Sequence, residues 1–133
     1  MASDKGKLII IDDDFYFRIM LESLLVKCPI QVESRKAFSK SCEFTLFGGA
    51  DAAILDFHLA PDNAIKCTED LQRFYPMLPV VIVSSDTEAL NSIPLHLKRV
   101  IGKVTKGCGP VNLTNEILKS LSQFVPRFRG LKV

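Results

Sequence analysis

Polar side chains that could do chemistry follow four separate apolar segments of the chain. They are Asp12, Asp13, Asp14, Asp56, Ser84, Ser85 and Lys106. Carboxylates that converge on one point repel one another and raise one another's pKa values unless a cation joins them. A set of oxygen ligands without histidine or cysteine favours a hard ion, and few carboxylates with room for water and phosphate favour Mg²⁺ over Ca²⁺. The residue types therefore predict a magnesium site.

A carboxylate beside such an ion can act as a nucleophile toward a phosphoryl group and form an aspartyl phosphate. The ion, an ammonium group and a hydroxyl group then stabilise the phosphoryl oxygens. We interpret Asp56 as the acceptor, with Asp12 and Asp13 holding the metal. Lys106 and Ser84 would contact the phosphate.

Each of these residues also has an ordinary structural role. One aspartate of the triplet is expected to cap the following helix, and we assign this role to Asp14. Taken alone, Asp56 is typical of a strand-end turn, Ser84 of a helix cap and Lys106 of the surface. The coincidence of all of them at strand ends is what favours phosphate chemistry.

The elements that must position these residues alternate along the chain. Five short apolar or β-branched segments predict strands at residues 8–11, 30–32, 52–55, 80–83 and 100–104. Five stretches with helical spacing lie at residues 17–25, 38–46, 67–75, 87–97 and 113–124, and Pro94 makes the fourth short or irregular. This alternation predicts an α/β fold with a parallel five-stranded sheet covered on both faces, which binds ligands beyond the carboxyl ends of the strands.

Four segments resemble the receiver domains of two-component response regulators of the chemotaxis-regulator type. They are residues 8–14 with Arg18 after them, 52–56, 79–85 and 102–106, within a match over roughly residues 7–125. The resemblance implies a flavodoxin-like, doubly wound sheet of strand order 2-1-3-4-5. It also implies transfer of a phosphoryl group from a histidine kinase to Asp56, with Mg²⁺ or Mn²⁺ as the cofactor.

The same resemblance implies roles within the site. The metal would be bound by Asp12, Asp13, Asp56 and the backbone carbonyl of His58. Ser84, Ser85 and Lys106 would bind the phosphate and take part in the conformational switch that follows phosphorylation. The positions that tune phosphate lifetime would be His58 and Asp86.

Four features depart from the family pattern. Lys103 stands where the family usually has an aromatic residue that swings inward, and no Phe, Tyr or Trp occurs between residues 76 and 123. Gly107 stands where many members carry proline. The loop after Asp56 has its proline late, and Pro94 should distort the fourth helix. We therefore expect a phosphorylatable receiver whose signal output is unusual.

The charge distribution leaves a second function open. The net charge is +2, but residues 1–88 carry 9 basic and 14 acidic side chains, whereas residues 89–133 carry 8 basic and 1 acidic. A basic last part indicates a surface that faces a partner. The alternative is therefore a pseudo-receiver that binds a protein through this surface without being phosphorylated.

Another enzyme class shares one motif. Asp12 and Asp14, two residues apart after an apolar strand, also resemble the nucleophile motif of haloacid-dehalogenase-type phosphatases. Those enzymes normally carry a lid, for which this chain is short. Phosphate trapped on Asp12 rather than on Asp56 would support that class.

Length and composition predict one domain. We expect the receiver domain at residues 1–125 and a tail or the start of a linker at 126–133.

Apolar runs of at most four residues exclude a membrane span, and the polar first residues contain no signal segment, so we expect a cytoplasmic protein. The four cysteines form no C-x-x-C pair, which favours small buried hydrophobes over a metal or redox site.

The expected partners follow from the resemblance and the composition. They are a sensor histidine kinase or phosphotransfer protein, a downstream protein or tethered output domain, and a second copy in a homodimer. Direct nucleic-acid binding is not expected because no helix presents a basic face. We expect no enzymatic turnover beyond self-phosphotransfer and autodephosphorylation.

Overall fold

The computed structural model describes residues 5–36, 47–59 and 63–133. Its sheet contains β1 (Gly6–Ile11), β2 (Ile30–Arg35), β3 (Ala52–Asp56), β4 (Val80–Ser84) and β5 (Val100–Thr105). All neighbouring strands pair in parallel, in the order β2-β1-β3-β4-β5. The predicted strands, the parallel sheet and the strand order are confirmed.

Four α-helices lie within the described residues. They are α1 (Phe15–Leu25), α2 (Ala64–Phe74), α3 (Thr87–Asn91) and α4 (Pro110–Ser122). The helix predicted at residues 38–46 lies outside the described residues. The helix α3 is five residues long, which confirms the short helix predicted from Pro94. Proline disfavours helical geometry in the residue before it, here Ile93, so the helix has to end before that residue. None of the helices in the described part of the chain is long and apolar enough to cross a membrane.

The three central strands are buried on both faces. Along β1, the fully buried Leu8 and Ile10 belong to the core beneath α1 and α4. The intervening Ile9 and Ile11 belong to a second core on the opposite face, beneath α2 and α3. Burial on both faces explains why these strands consist of uninterrupted apolar residues.

Residues 126–133 pack against the domain. The sequence predicts a tail or the start of a linker here, but Phe128 is fully buried in the core between β1, α1 and α4, and Leu131 packs against that core. The side chain of Asn115 on α4 accepts a hydrogen bond from the backbone N–H of Val133 (2.7 Å) and donates one to its carbonyl (3.2 Å). The domain boundary at residue 125 stays a prediction, whereas the segment itself is packed.

Candidate functional site

Asp12 follows the last residue of β1 and is held from several sides. Its backbone N–H donates to the carbonyl of Arg35, and its own carbonyl accepts a hydrogen bond from the guanidinium of Arg18 at 2.6 Å. Its carboxylate accepts a hydrogen bond from the backbone N–H of Asp14 at 2.8 Å. The side chain is fully buried, and this burial raises the pKa of Asp12, while the hydrogen bonds from Lys106 and Asp14 oppose the rise in part.

Asp14 begins α1. Its carboxylate accepts hydrogen bonds from the backbone N–H groups of Tyr16 (3.0 Å) and Phe17 (3.2 Å), which confirms the predicted helix cap. The cap fixes where the helix starts, and therefore where the Phe17 side chain lies.

Three carboxylates converge at the carboxyl ends of β1 and β3. One oxygen each from Asp12, Asp13 and Asp56 lies within 4.8 Å of the others. Asp12 and Asp56 are buried, whereas Asp13 is exposed, so the cluster opens to solvent on one side. The donors are all carboxylate oxygens, a set that fits a hard divalent cation with room for water. The cluster predicted from the three acidic residues is therefore formed.

Lys106 reaches the same cluster from the end of β5. Its ammonium nitrogen lies 2.7 Å from Oδ2 of Asp12 and 3.1 Å from Oδ1 of Asp56. Burial by itself lowers the pKa of Lys106, but the hydrogen bonds and negative charges of the two aspartates outweigh it and raise the pKa above its usual value. The side chain therefore stays protonated beside the carboxylates.

Ser84 ends β4 and is almost fully buried. Its hydroxyl oxygen accepts a hydrogen bond from the backbone N–H of Asp86 at 3.0 Å. The helix cap of α3 is Asp86, whose carboxylate accepts hydrogen bonds from the N–H groups of Glu88 and Ala89. Ser84 is therefore not the cap, and within the described ranges its own hydroxyl proton has no acceptor. The neighbouring Ser85 is exposed.

His58 and Asp86 meet across two loops. Nε2 of the imidazole lies 3.7 Å from Oδ2 of the carboxylate, and both side chains are at least half exposed. The first loop follows β3 and the second follows β4, so the contact lies beside the end of the strand that carries Asp56. The two positions assigned to phosphate lifetime are thus neighbours in space.

Lys103 lies on the edge strand β5, opposite Ile82 of β4. It is exposed. An ammonium group therefore occupies the surface where the family resemblance would place a swinging aromatic ring.

One contact in the site was missed from the sequence. The ammonium nitrogen of Lys106 lies 4.2 Å from the centroid of the Phe17 ring. The helical spacing of residues 17–25 predicts that Phe17 lies on the apolar face of a helix, and the ring is indeed buried in the core. No local spacing signals a contact between residues so far apart in the chain.

Known structures with the same architecture are numerous. A receiver domain of an HD-domain protein from Pseudomonas fluorescens Pf-5 superposes with a TM-score of 0.76 at 12% identity, over 98% of this chain and 97% of that one. A receiver domain from Clostridium thermocellum gives a TM-score of 0.71 at 16% identity, over 89% and 95%. A CheY-like receiver domain from Methanospirillum hungatei JF-1 gives 0.68 at 16%, over 90% and 95%. This chain has the receiver-domain fold.

No protein-family model matches the sequence. No curated protein matches it either. The receiver fold of this chain therefore rests on the architecture. The geometry of the site brings the acidic cluster, Lys106 and Ser84 to the carboxyl edge of the sheet, where open α/β folds bind their ligands.

Proposed function

We propose that this protein is a two-component receiver domain that accepts a phosphoryl group on Asp56 from a histidine kinase or phosphotransfer protein. The observation that carries the proposal is the contact of one ammonium group, on Lys106, with both Asp12 and Asp56 beside the exposed carboxylate of Asp13. A salt bridge that serves stability alone does not require a third carboxylate beside the two that contact the lysine.

The cation would be held by Asp12, Asp13, Asp56 and the backbone carbonyl of His58. Bound Mg²⁺ or Mn²⁺ would supply charge neutralisation for the carboxylates and the phosphoryl oxygens. With the negative charges reduced, an oxygen of Asp56 can approach the phosphorus of a phosphohistidine. A phosphorus–oxygen bond forms, the phosphorus–nitrogen bond breaks, and the imidazole leaves.

The remaining site residues act on the product. The Lys106 ammonium would donate a hydrogen bond to one phosphoryl oxygen, and the Ser84 hydroxyl would donate a hydrogen bond to another. Ser85, which is exposed, belongs to the same loop. His58 and Asp86 stand at the rim and would control how water reaches the aspartyl phosphate, and so its lifetime.

The signal would leave the domain as a conformational change read by a protein partner, a tethered output domain or a second copy. Lys103 excludes the conventional inward swing of an aromatic ring at this position, so we propose that the output differs from the usual mode. The site of action would be the cytoplasm, without direct binding to nucleic acid or membrane.

The proposal is tested by intact mass spectrometry after incubation with acetyl phosphate and Mg²⁺. The natural sequence should gain about 80 Da, the mass of one phosphoryl group, and Asp56→Asn should gain nothing. A gain that persists in Asp56→Asn and disappears in Asp12→Asn would instead indicate the phosphatase-type chemistry.

A phosphorylation-independent binding module is the second candidate. Lys98, Lys103 and Lys119 are exposed, and none of them forms an ion pair with an acidic side chain in the described ranges. Exposed lysines without an acidic partner of their own suit an acidic protein partner. The absence of both a mass gain and Mg²⁺ binding would favour this candidate.

A further inference from the structure

The ammonium group of Lys106 has an uncharged neighbour as well as two charged ones. The Phe17 ring centroid lies 4.2 Å from Nζ, compared with 2.7 Å for the nearest oxygen of Asp12 and 3.1 Å for that of Asp56. A cation over an aromatic face is attracted by the ring quadrupole, and the attraction is larger when water is excluded. The Lys106 side chain is largely buried, at 18% exposed, so the contact is mostly protected from water.

The ring of Phe17 is itself held in place. Its backbone N–H donates to the Asp14 cap, which fixes the first turn of α1. The side chain is 7% exposed and packs in the core that also contains Leu21 and Leu113. The Phe17 ring is therefore held in a fixed position beside the Lys106 ammonium.

The attraction of the two carboxylates for the Lys106 ammonium would change when a cation binds to them. The closest and most buried charged partner of Lys106 is Asp12, which draws the ammonium toward β1. A cation shared by Asp12 and Asp56 would weaken the pull of both carboxylates on the lysine, because it neutralises the same charges. The attraction between the ring and the ammonium does not depend on the charges of the carboxylates. The ring also has no atom that could bind the cation or donate a hydrogen bond to a phosphoryl oxygen.

We propose that Phe17 is a positioning residue for Lys106, which keeps the ammonium directed at the phosphoryl position when the carboxylates are occupied by a cation. The inference rests on the proposed function and adds a residue to it. A phenyl ring carries no hydrogen-bond donor or acceptor for the acceptor carboxylate or the phosphoryl oxygens, so Phe17 would act through the lysine.

The test compares the same substitution at two positions of one core. Phe17→Leu removes the ring that faces Lys106, and Phe128→Leu removes a fully buried ring elsewhere in the same core. Each variant is titrated with Mg²⁺ alone, and then with beryllofluoride, a mimic of the phosphoryl group, at saturating Mg²⁺. Phe17→Leu should weaken beryllofluoride binding about three- to tenfold while leaving Mg²⁺ binding unchanged, and Phe128→Leu should change neither.

A second measurement uses the unmodified protein. The ε-methylene protons of Lys106 should show an upfield ring-current shift in the NMR spectrum, both with Mg²⁺ alone and with Mg²⁺ and beryllofluoride. The shift should be lost in Phe17→Leu. An unshifted Lys106 signal in the unmodified protein would overturn the proposal even if the variant failed to fold.

The possible failures are distinguishable. If the natural sequence is phosphorylated and binds beryllofluoride, but Phe17→Leu binds both probes with unchanged affinity, the role of Phe17 is overturned and the proposed function stands. Equal losses of Mg²⁺ and beryllofluoride affinity in Phe17→Leu would also overturn it, because they would show a general distortion of the site. If the natural sequence neither binds beryllofluoride nor accepts phosphate, the proposed function fails and the role of Phe17 fails with it.

Discussion

The ammonium nitrogen of Lys106 lies 2.7 Å from Oδ2 of Asp12, although 94 residues separate them in the chain. Asp12 follows β1 and Lys106 follows β5, with β3 and β4 lying between them in the sheet. One ammonium group thus faces a cluster of three carboxylates, which leaves the cluster with an excess of negative charge. That excess is the physical reason to expect a divalent cation.

Mg²⁺ should stabilise the protein. Binding to the folded state alone raises the free energy of unfolding by about 2.7 kcal/mol when the ion is present at a hundred times its dissociation constant. Differential scanning fluorimetry in a Mg²⁺ series should therefore show a rising melting temperature. Asp13→Asn should remove the rise and leave the metal-free melting temperature nearly unchanged, because Asp13 is exposed. If the melting temperature of the unmodified protein did not change across the Mg²⁺ series, the predicted metal site would be contradicted.

The Phe128 side chain should make a large contribution to stability. It is fully buried, and Phe128→Ala should lower the free energy of unfolding by about 3–5 kcal/mol, as expected for a large aromatic side chain removed from a core. Phe124→Ala is the matched control, since that ring is 57% exposed and should cost far less. Urea denaturation followed by circular dichroism measures both. Similar losses for the two variants would contradict the packing of residues 126–133 against the domain.

Cys28 should be slow to alkylate. Its thiol is buried and lies 3.6 Å from the carbonyl oxygen of Lys132, and burial raises the pKa of Cys28. A raised pKa lowers the thiolate fraction at neutral pH, and the thiolate is the form that reacts. The rate of reaction with iodoacetamide, followed by peptide mass mapping, should be lower than at the partly exposed Cys108 and should rise steeply only at alkaline pH.

The same thiol also reports on the C-terminal segment. Phe128→Ala should increase the alkylation rate of Cys28 under native conditions, because the segment that covers it is loosened. A rate at Cys28 equal to that at Cys108 in the natural sequence would show that the thiol is not covered.

Gly102 should tolerate no side chain. A Cβ atom at this position would lie 2.5 Å from Oγ and 2.7 Å from Cβ of Ser120 on α4, so α4 would have to move away from the sheet. Gly102→Ala should lower stability by about 1–3 kcal/mol, as is typical of overpacking. Gly107→Ala is the control, because a Cβ there would have its nearest neighbour at 3.7 Å. Thermal unfolding of both variants checks the difference, and equal melting temperatures would contradict the close approach of α4 to β5.

The sequence predicted the strands and the site cluster for one shared reason. A strand covered on both faces must be apolar at every position, so β1, β3 and β4 are visible as uninterrupted apolar runs. Parallel strands bring their carboxyl ends to one edge, so the acidic residues after β1 and β3 must meet there. The assignment of Asp14 as the cap of α1 followed from local hydrogen-bonding alone.

Other local assignments were less complete. Serine is a residue type that often caps helices, but α3 is capped by Asp86, two residues after Ser84. The Ser84 hydroxyl oxygen instead accepts a hydrogen bond from the backbone N–H of Asp86. The last residues have the composition of a linker, yet Phe128 fills a space beside Gly6 at the start of β1, where a Cβ atom would lie 2.7 Å from the ring. Neither outcome is encoded in the periodicity of the segment concerned.

The sequence by itself therefore determined the class of fold and the residues that meet at the carboxyl edge of the sheet, since both depend on local apolar patterning and on the direction of the strands. The tertiary structure decided which of these residues touch: Lys106 against Phe17, His58 against Asp86, and Phe128 against β1. These contacts join residues far apart in the chain through side-chain geometry, and close packing selects them only once the whole core is assembled.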